Sequence, residues 1–286
     1  MNVVAGIVLY NPNIERLQDN ITAVCPQVDK IILYDNGSKN IEEVKNLLRK
    51  LKVDYILLTS IYNIGIAQAL NNIARVAINK RYNWLLTLDQ DSVVFPNLVK
   101  NYLLNLDVSN MGQICCRLID RNIKQNVQFS NDCSIKKVKY CITSGTLVNL
   151  KALKKVGGFD KNLFIDWVDN ELCCALRKKG FDTYEMNYKG LLQEMGNASI
   201  KHFLWKKIYT PNYNYIRYYY NARNSIYVAR EYPDEENVFK KVIQQLRVQI
   251  HIILFEENKF KKIKAITKGI INGMVMKKNN NRGLYE

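Results

Sequence analysis

The first 90 residues alternate short apolar runs with amphipathic stretches. Four apolar runs typical of buried strands occupy residues 3–9, 30–34, 53–58 and 84–88. Between them, apolar residues recur at helical spacing, as Ile14, Leu17 and Ile21 do after the first run. This order of strands and helices predicts an α/β fold with a mainly parallel sheet and right-handed crossovers.

Short polar segments follow all of these runs. They read Tyr10-Asn11, Asp35-Asn36-Gly37-Ser38, Asn63-Ile64-Gly65 and Asp89-Gln90-Asp91-Ser92. Each one alone is typical of a turn, and Asn-Gly is strong turn chemistry, although Asp35 could also accept a hydrogen bond from a pyrimidine N–H. Ligands of such sheets bind beyond the carboxyl ends of the strands, so the convergence of these segments on one edge indicates a binding site.

Two carboxylates one residue apart, Asp89 and Asp91, end the fourth run. Side chains alternate along a strand, so both point the same way if the chain stays extended. Like charges on one edge repel unless a cation lies between them, and a hard divalent cation that holds a phosphate is a common solution. The alternatives are a solvated turn and a site for nucleotide phosphate with Mg²⁺ or Mn²⁺.

A second acidic cluster contains Asp166, Asp169 and Glu171, at the start of a predicted helix over 168–179. Such carboxylates can cap a helix or act as a general base towards an acceptor hydroxyl. Asp169 and Glu171 cannot share a helix face at a spacing of two, so at most one of them, with or without Asp166, faces a cleft. Because His202 and His251 are the only histidines, acid–base work falls mainly on carboxylates.

The rest of the chain divides into two predicted regions. Short strands are expected between 111 and 150, a helix over 151–156 and a strand over 181–185, and beyond 196 the pattern is helical, aromatic and basic. We therefore predict a nucleotide- and acceptor-binding domain over 1–200 and a helical region over 201–286.

The C-terminal region carries half of the net charge of +16, because residues 240–286 contain eleven Lys or Arg and only three Glu. Two apolar stripes at helical spacing predict amphipathic helices there: Val238, Val242, Leu246, Ile250 and Ile253, then Phe260, Ile263, Ile266, Ile270 and Met274. These helices either pack on the domain or lie on an anionic membrane. No recognised nucleic-acid motif accompanies the charge, so no nucleic acid is expected as partner.

The cysteines and the N-terminus indicate a cytoplasmic protein. The seven cysteines include no Cys-x-x-Cys and are expected to be reduced thiols. The chain enters a strand directly, so no signal peptide is expected, and no apolar run approaches the ~20 residues that a bilayer span needs.

Together these segments resemble the inverting glycosyltransferases of family 2, which have a GT-A fold, and within them most resemble the bacterial rhamnosyltransferases. The resemblance covers residues 3–224. Besides the four strand-end segments, it includes Ser144-Gly145-Thr146, Gly158-Phe159-Asp160, Leu163-Phe164-Ile165-Asp166, Val168-Asp169-Asn170-Glu171 and Tyr218-Tyr219-Tyr220 with Arg223-Asn224. Each piece is weak, but the set is specific.

The resemblance implies a role for each candidate residue. The nucleotide would contact Val8, Tyr10, Asp35, Asn63, Gly65 and Asp89. Asp91, with Asp89, would bind Mg²⁺ or Mn²⁺. Asp169 would be the catalytic base, with Asp166 in reserve. The donor and acceptor pocket would include Ser144, Gly145, Trp167, Glu171 and Gln193.

Gln193 departs from the family pattern, since the family usually has a His at this position before a short Gly-containing stretch. A His there can complete metal coordination or contact the diphosphate. The third protein ligand of the metal is therefore open.

The predicted function is inverting transfer of L-rhamnose from dTDP-rhamnose to a hydroxyl of a lipid-linked cell-surface glycan. The basic tail would hold the enzyme at the inner face of the cell membrane, as in polysaccharide biosynthesis. The alternatives are a UDP-hexose-dependent enzyme of the same fold, a nucleotidyltransferase, and a non-catalytic module that binds sugar nucleotides or membranes.

Overall fold

The computed structural model describes residues 2–122, 132–194, 199–203, 206–210, 212–278 and 282–285. The strands are β1 Val3–Leu9, β2 Lys30–Asp35, β3 Tyr55–Thr59, β4 Trp84–Asp89, β5 Val93–Val94, β6 Met111–Asp120, β7 Ile135–Val138, β8 Thr146–Asn149, β9 Asp182–Gln193, β10 Ser199–Phe203 and β11 Lys206–Thr210. The α-helices are α1 Ile14–Val24, α2 Ile41–Leu51, α3 Ile66–Asn79, α4 Leu98–Leu103, α5 Leu150–Val156, α6 Val168–Lys178, α7 Tyr215–Glu231, α8 Val238–Phe255 and α9 Lys259–Val275.

The large sheet has the strand order β3-β2-β1-β4-β8-β6-β9-β5, and β7 pairs with β9. Strand β1 pairs in parallel with β2 and β4, and β2 with β3. Strand β8 runs antiparallel to its neighbours β4 and β6, while β6 and β9 are parallel. The predicted α/β fold is confirmed, with antiparallel strands added beyond the parallel N-terminal half.

Strand β1 is covered on both faces, which explains why it reads as a continuous apolar run. Ile7 and Leu9 belong to the main core cluster together with Leu17 of α1. On the other face, a Cβ added at Gly6 would lie 2.7 Å from the Ile73 side chain of α3. The register places Leu9 opposite Asp35 and Val8 opposite Asp89, so the polar strand ends meet at one edge.

Strand β9 is longer than the sequence predicted, since 181–185 was expected and the structure has Asp182–Gln193. It pairs with β5, β6 and β7, and its pairing with β6 contains register shifts. Gly190 lies inside it, where an added Cβ would be 2.4 Å from Leu98 Cδ1. Gly190 and the irregular order of apolar and polar residues make this stretch a weak strand by sequence alone. Its pairing with three neighbouring strands stabilises it as a strand in the fold.

The prediction that the chain becomes helical beyond residue 196 was wrong for its first part. Strands β10 and β11 form an antiparallel pair there, with Ser199 opposite Thr210. The shortness of these strands explains the failure, because five residues offer too few positions for an alternating pattern to be recognised. Helices α7, α8 and α9 then follow as expected.

The chain forms two compact units. The first unit contains the described residues up to Asn162, then Val168–Glu194 and residues 282–285, and it includes the large sheet. The second unit contains Leu163–Trp167 and the described residues between 199 and 278. The division into domains over 1–200 and 201–286 stays a prediction. None of the helices in the described part of the chain has the length and apolar character of a bilayer-spanning segment.

Helices α7 and α9 of the second unit approach each other closely at two glycines. A Cβ added at Gly269 would lie 2.5 Å from the Tyr219 carbonyl oxygen, and one at Gly273 would lie 2.5 Å from the Arg223 carbonyl oxygen. Real side chains do not reach such distances from backbone, so glycine is required at both positions. The helix pair therefore depends on glycines spaced by four.

Replacement of Gly273 by Ala tests this close approach. At an ordinary helix position the exchange stabilises by about 0.5–1 kcal/mol. Here we expect the free energy of unfolding to fall by about 1–3 kcal/mol, because the methyl group overpacks the contact. Urea unfolding followed by circular dichroism measures the change, and exposed Ile271→Ala is the control, expected within about 0.5 kcal/mol of wild type. A stabilised Gly273→Ala variant would contradict the packing.

Candidate functional site

The turn after β2 holds Asp35 in a fixed position. Asp35 is buried, and its carboxylate oxygens accept hydrogen bonds from the Ser38 amide at 3.2 and 3.4 Å. Gly37 has φ +83°, and an added Cβ would lie 2.9 Å from the Tyr62 backbone. Only glycine fits there, so this turn packs tightly on the loop that follows β3.

Asn36 joins the Asp35 turn to the segment before α3. Its Nδ2 donates to Asn63 Oδ1 at 3.0 Å, and its Oδ1 accepts from the Ile64 amide at 2.8 Å. Asn63 Oδ1 also accepts from the Gly65 amide at 2.9 Å. The structure therefore brings Asp35, Asn63 and Gly65 together. Sequence reasoning did not assign Asn36 a role, and the only signal was its place inside the turn.

The backbone of Asp89 is fixed by contacts from two distant segments. Its amide donates to Ser144 Oγ at 3.0 Å, and its carbonyl accepts from Asn20 Nδ2 at 2.7 Å. Ser144 Oγ in turn donates to Ser92 Oγ at 2.8 Å, and the Gly145 amide donates to the Thr87 carbonyl at 2.8 Å. The predicted Ser144-Gly145 segment thus lies directly against the Asp89 turn.

Gln193, at the end of β9, contacts the Asp89 side chain. Its Nε2 donates to Asp89 Oδ2 at 2.7 Å. Its Oε1 is buried and has no hydrogen-bond partner among the described residues. A buried oxygen without a partner lowers the stability of the fold by about 1–3 kcal/mol. A hydrogen-bond donor or a cation bound to Gln193 Oε1 would remove that cost.

Tyr10 and Gln90 connect the end of β1 to the same turn. The Tyr10 amide donates to Gln90 Oε1 at 2.8 Å, and Gln90 Nε2 donates to the Tyr10 carbonyl at 3.3 Å. Val8 is half-buried and lies opposite Asp89 in the register. The Tyr10 side chain is half-exposed at this edge. Gln90 is a positioning residue that sequence reasoning missed, although its place between two aspartates was visible.

The oxygen donors at this turn fit a hard divalent cation. Asp89 and Asp91 supply carboxylates, Gln193 supplies the buried Oε1, and oxygen ligands are those that Mg²⁺ and Mn²⁺ prefer. Asp91 is half-buried, and its carboxylate makes no hydrogen bond or ion pair with the other described residues. No group of three or more His, Cys, Asp or Glu suited to a metal occurs among the described residues.

Asp169 lies in the first turn of α6, where its Oδ1 accepts from the Asn170 amide at 2.8 Å. Asp169 lines a small cavity together with Thr87, Thr143 and Thr146. Thr143 and Thr146 flank the Ser144-Gly145 segment that contacts the Asp89 turn, and Thr87 is hydrogen-bonded to that segment. The structure therefore places Asp169 and Asp89 around the same short segment.

Glu171 occupies a different environment from Asp169. Its carboxylate is 1% exposed and pairs with Arg282, whose Nη2 lies 2.7 Å from Glu171 Oε2. Sequence reasoning missed Arg282, because nothing local marks a partner 111 residues further along the chain.

Asp166 and Trp167 belong to the second unit and have φ of +62° and +67°, which is unusual for residues other than glycine. The Asn224 side chain donates to the Ile165 and Asp166 carbonyls at 2.8 and 2.9 Å. Such backbone strain costs on the order of 1–3 kcal/mol for each residue and is found mainly at functional sites.

The Asp166 carboxylate pairs with Arg217, whose Nη2 lies 3.2 Å from Oδ1. Burial raises the pKa of Asp166 above its ordinary value, and the Arg217 charge and hydrogen bonds act against that rise. Lys241 Nζ lies 4.5 Å from the centre of the Trp167 ring. Both predicted residues are thus engaged by side chains of the helical region.

Solved structures share this fold at low sequence identity. S. aureus TarS 1–349, in a complex with UDP-GlcNAc, matches with a TM-score of 0.58 and 13% identity over 95% of this chain and 81% of that one. GalNAc-T7 with UDP, GalNAc and Mn²⁺ matches with a TM-score of 0.59 and 11% identity over 80% of this chain. This chain spans 47% of the GalNAc-T7 chain. These likenesses confirm the GT-A fold.

Sequence comparison identifies the family. The dTDP-rhamnosyl transferase RfbF of Shigella flexneri is 29% identical over 244 residues, which are 80% of each chain. The family model for "Glycosyl transferase family 2" matches residues 5–179, which contain every strand-end segment and Asp169. The predicted family is therefore confirmed: the chain belongs to glycosyl transferase family 2 and is a glycosyltransferase.

Proposed function

We propose that this glycosyltransferase moves L-rhamnose from dTDP-rhamnose, with inversion, onto a hydroxyl of a lipid-linked cell-surface glycan. The observation that carries the proposal is the Thr143–Thr146 segment, which contacts the Asp89 turn and borders the cavity at Asp169. The proposed site for the diphosphate and the proposed base for the acceptor hydroxyl would thereby lie on either side of one short segment. The similarity to dTDP-rhamnosyl transferase RfbF supports the donor.

The nucleoside would lie at the carboxyl edge of β1 and β2. Asp35 would accept a hydrogen bond from the pyrimidine N3–H, and the Ser38 amide holds its carboxylate at the end of β2 for that contact. Val8 and Tyr10 would line the base and ribose from β1, with Asn63 and Gly65 on the far side. This contact suits thymine and uracil alike, so it does not by itself distinguish dTDP- from UDP-sugars.

Asp91, Asp89 and Gln193 Oε1 would hold a Mg²⁺ or Mn²⁺ ion. When bound, such an ion stabilises negative charge on the departing diphosphate. Ser144 and Gly145 fix the Asp89 turn from behind and would border the donor sugar. Gln193 also orients the Asp89 carboxylate through its Nε2.

Asp169 would take the proton of the acceptor hydroxyl while the hydroxyl attacks C1 from the face opposite the diphosphate. That direction of attack inverts the configuration at C1. Asp166 is the reserve candidate for the base, and Trp167 would contact the acceptor. Glu171, which the resemblance places in the pocket, is paired with Arg282 and would support the site through that pair.

Asp169→Asn tests the base. General-base catalysis contributes about 10²–10⁴-fold, so kcat should fall by that factor, with thermal stability and donor KM close to wild type. Release of dTDP from dTDP-rhamnose in the presence of acceptor is the readout. The control is Asp107→Asn, at an exposed turn of the same unit, which should retain full activity. Normal turnover of Asp169→Asn would remove it as base and transfer the role to Asp166.

Gln193→Ala tests the third metal ligand through binding rather than turnover. Loss of Gln193, which also orients the Asp89 carboxylate, should weaken Mn²⁺ affinity at least about 10-fold, measured by electron paramagnetic resonance with dTDP present. Asp91→Ala should abolish that binding, and Gln27→Ala, a glutamine of the same unit away from the turn, should leave it unchanged. Equal Mn²⁺ affinity of wild type and Gln193→Ala would show that Gln193 is not a ligand.

A panel of nucleotide sugars separates the proposed function from its rivals. We expect dTDP release from dTDP-rhamnose at the highest kcat/KM. A preference for a UDP-sugar would indicate the UDP-hexose-dependent enzyme. Pyrophosphate release from a nucleoside triphosphate would indicate a nucleotidyltransferase, and binding without turnover would indicate a module.

The helical region supports peripheral attachment to the inner face of the cell membrane. Helix α8 presents an exposed apolar face with helical spacing, consisting of Phe239, Leu246, Ile250, Ile253 and Leu254. On α9, Phe260 is 90% exposed and Ile266 is buried, so the predicted stripe does not lie on one exposed face. Exposed Lys261, Lys264 and Lys268 give α9 the charge that an anionic bilayer attracts.

The double variant Leu246→Asp with Ile250→Asp tests this surface. Sedimentation with vesicles that contain phosphatidylglycerol should fall at least about 10-fold, because two apolar side chains no longer enter the interface. Wild-type binding should also weaken as salt rises. Leu104→Asp, at an exposed leucine of the first unit, is the control and should bind like wild type. Equal sedimentation of all three proteins would contradict membrane attachment through α8.

A further inference from the structure

Residues 282–285 form a short segment, here named the C-terminal strap, that packs on the first unit. Leu284 is 2% exposed, and its amide donates to the Gly157 carbonyl at 3.4 Å. The Tyr285 hydroxyl donates to the Lys154 carbonyl at 3.1 Å. The strap therefore lies along the end of α5 and the turn that leads towards α6.

Arg282 makes the central contacts of the strap. Its Nη1 and Nη2 contact both oxygens of Glu171, with 2.7 Å between Nη2 and Oε2, and its Nε donates to the Gly158 carbonyl at 2.9 Å. A two-pronged contact between guanidinium and carboxylate fixes direction as well as distance. Glu171 is almost wholly buried, so Arg282 compensates a carboxylate that water does not reach.

Asn71 of α3 extends the network on the backbone side of the strap. Its Nδ2 donates to the Arg282 carbonyl at 2.9 Å and to the Phe159 carbonyl at 2.9 Å. Its Oδ1 accepts from the Phe159 amide at 2.8 Å. Hydrogen bonds therefore connect the strap, α3 and residues 157–159 in one network, and Arg282 connects that network to α6.

The consequence concerns Asp169, because Glu171 follows it by two residues in the first turn of α6. One helical turn is rigid, so a contact that fixes Glu171 also fixes the direction of Asp169. Both oxygens of Glu171 are held by Arg282. We propose that Arg282 is a positioning residue for sugar transfer, acting through Glu171 on the candidate base. This inference rests on the proposed function.

The test compares Arg282→Ala and Arg282→Lys with wild type in dTDP release. We expect Arg282→Ala to lower kcat at least about 10-fold while donor KM stays within about twofold, because the nucleotide edge does not involve the strap. Guanidinium ion at a non-denaturing concentration should restore part of the kcat of Arg282→Ala, and ammonium should not. Arg282→Lys should recover less than the wild-type rate, since an ammonium group lacks the two-pronged geometry.

Tyr285→Phe is the matched control, because it removes a strap hydrogen bond without touching Glu171, and its kcat should equal wild type. If Arg282→Ala does not fold, the neutral pair Glu171→Gln with Arg282→Gln replaces it and should show the same loss of kcat. Wild-type kcat in folded Arg282→Ala or in the neutral pair would overturn the inference, as would a loss of kcat in Arg282→Ala that guanidinium does not relieve. If wild type itself turns over no nucleotide sugar, the proposed function fails instead.

Discussion

The hydrogen bond between Gln193 and Asp89 is the interaction on which the candidate site depends. It joins the end of β9 to the end of β4 across 104 residues of sequence. The Ser144 and Asn20 side chains fix the Asp89 backbone on other sides. Two oxygen-bearing groups at this turn, the Asp91 carboxylate and the buried Gln193 Oε1, have no hydrogen-bond partner among the described residues. In the proposed function, a cation and a diphosphate would supply the partners that these oxygens need.

The strand-end segments could be predicted from sequence, because each depends on local patterns. An apolar run followed by Asp35 or Asp89 can be recognised without any knowledge of the tertiary structure. Membership of the family confirms the fold that these runs predict. The partners of these residues were harder to foresee. Gln193 was noticed only as a departure from the family pattern, and the burial of its Oε1 could not be foreseen because it depends on how β9 pairs with its neighbours.

Other features had no local signal at all. Arg282 lies far from Glu171 in sequence, in a stretch that reads as a polar chain end, and strands β10 and β11 are too short to show a period. The positive φ of Asp166 and Trp167 contradicts ordinary residue preferences, so only the surrounding contacts of Asn224 and Arg217 account for it. Long-range contacts and backbone strain are therefore the features that could not be predicted from the sequence.

A crystal structure of the protein with dTDP and Mn²⁺, with anomalous diffraction measured at the manganese edge, tests the central claim most directly. The account predicts one anomalous peak beside Asp91, with Gln193 Oε1 among its ligands, and the thymine ring against Asp35. An anomalous peak elsewhere, or a nucleotide bound away from the carboxyl edge of β1 and β2, would contradict it.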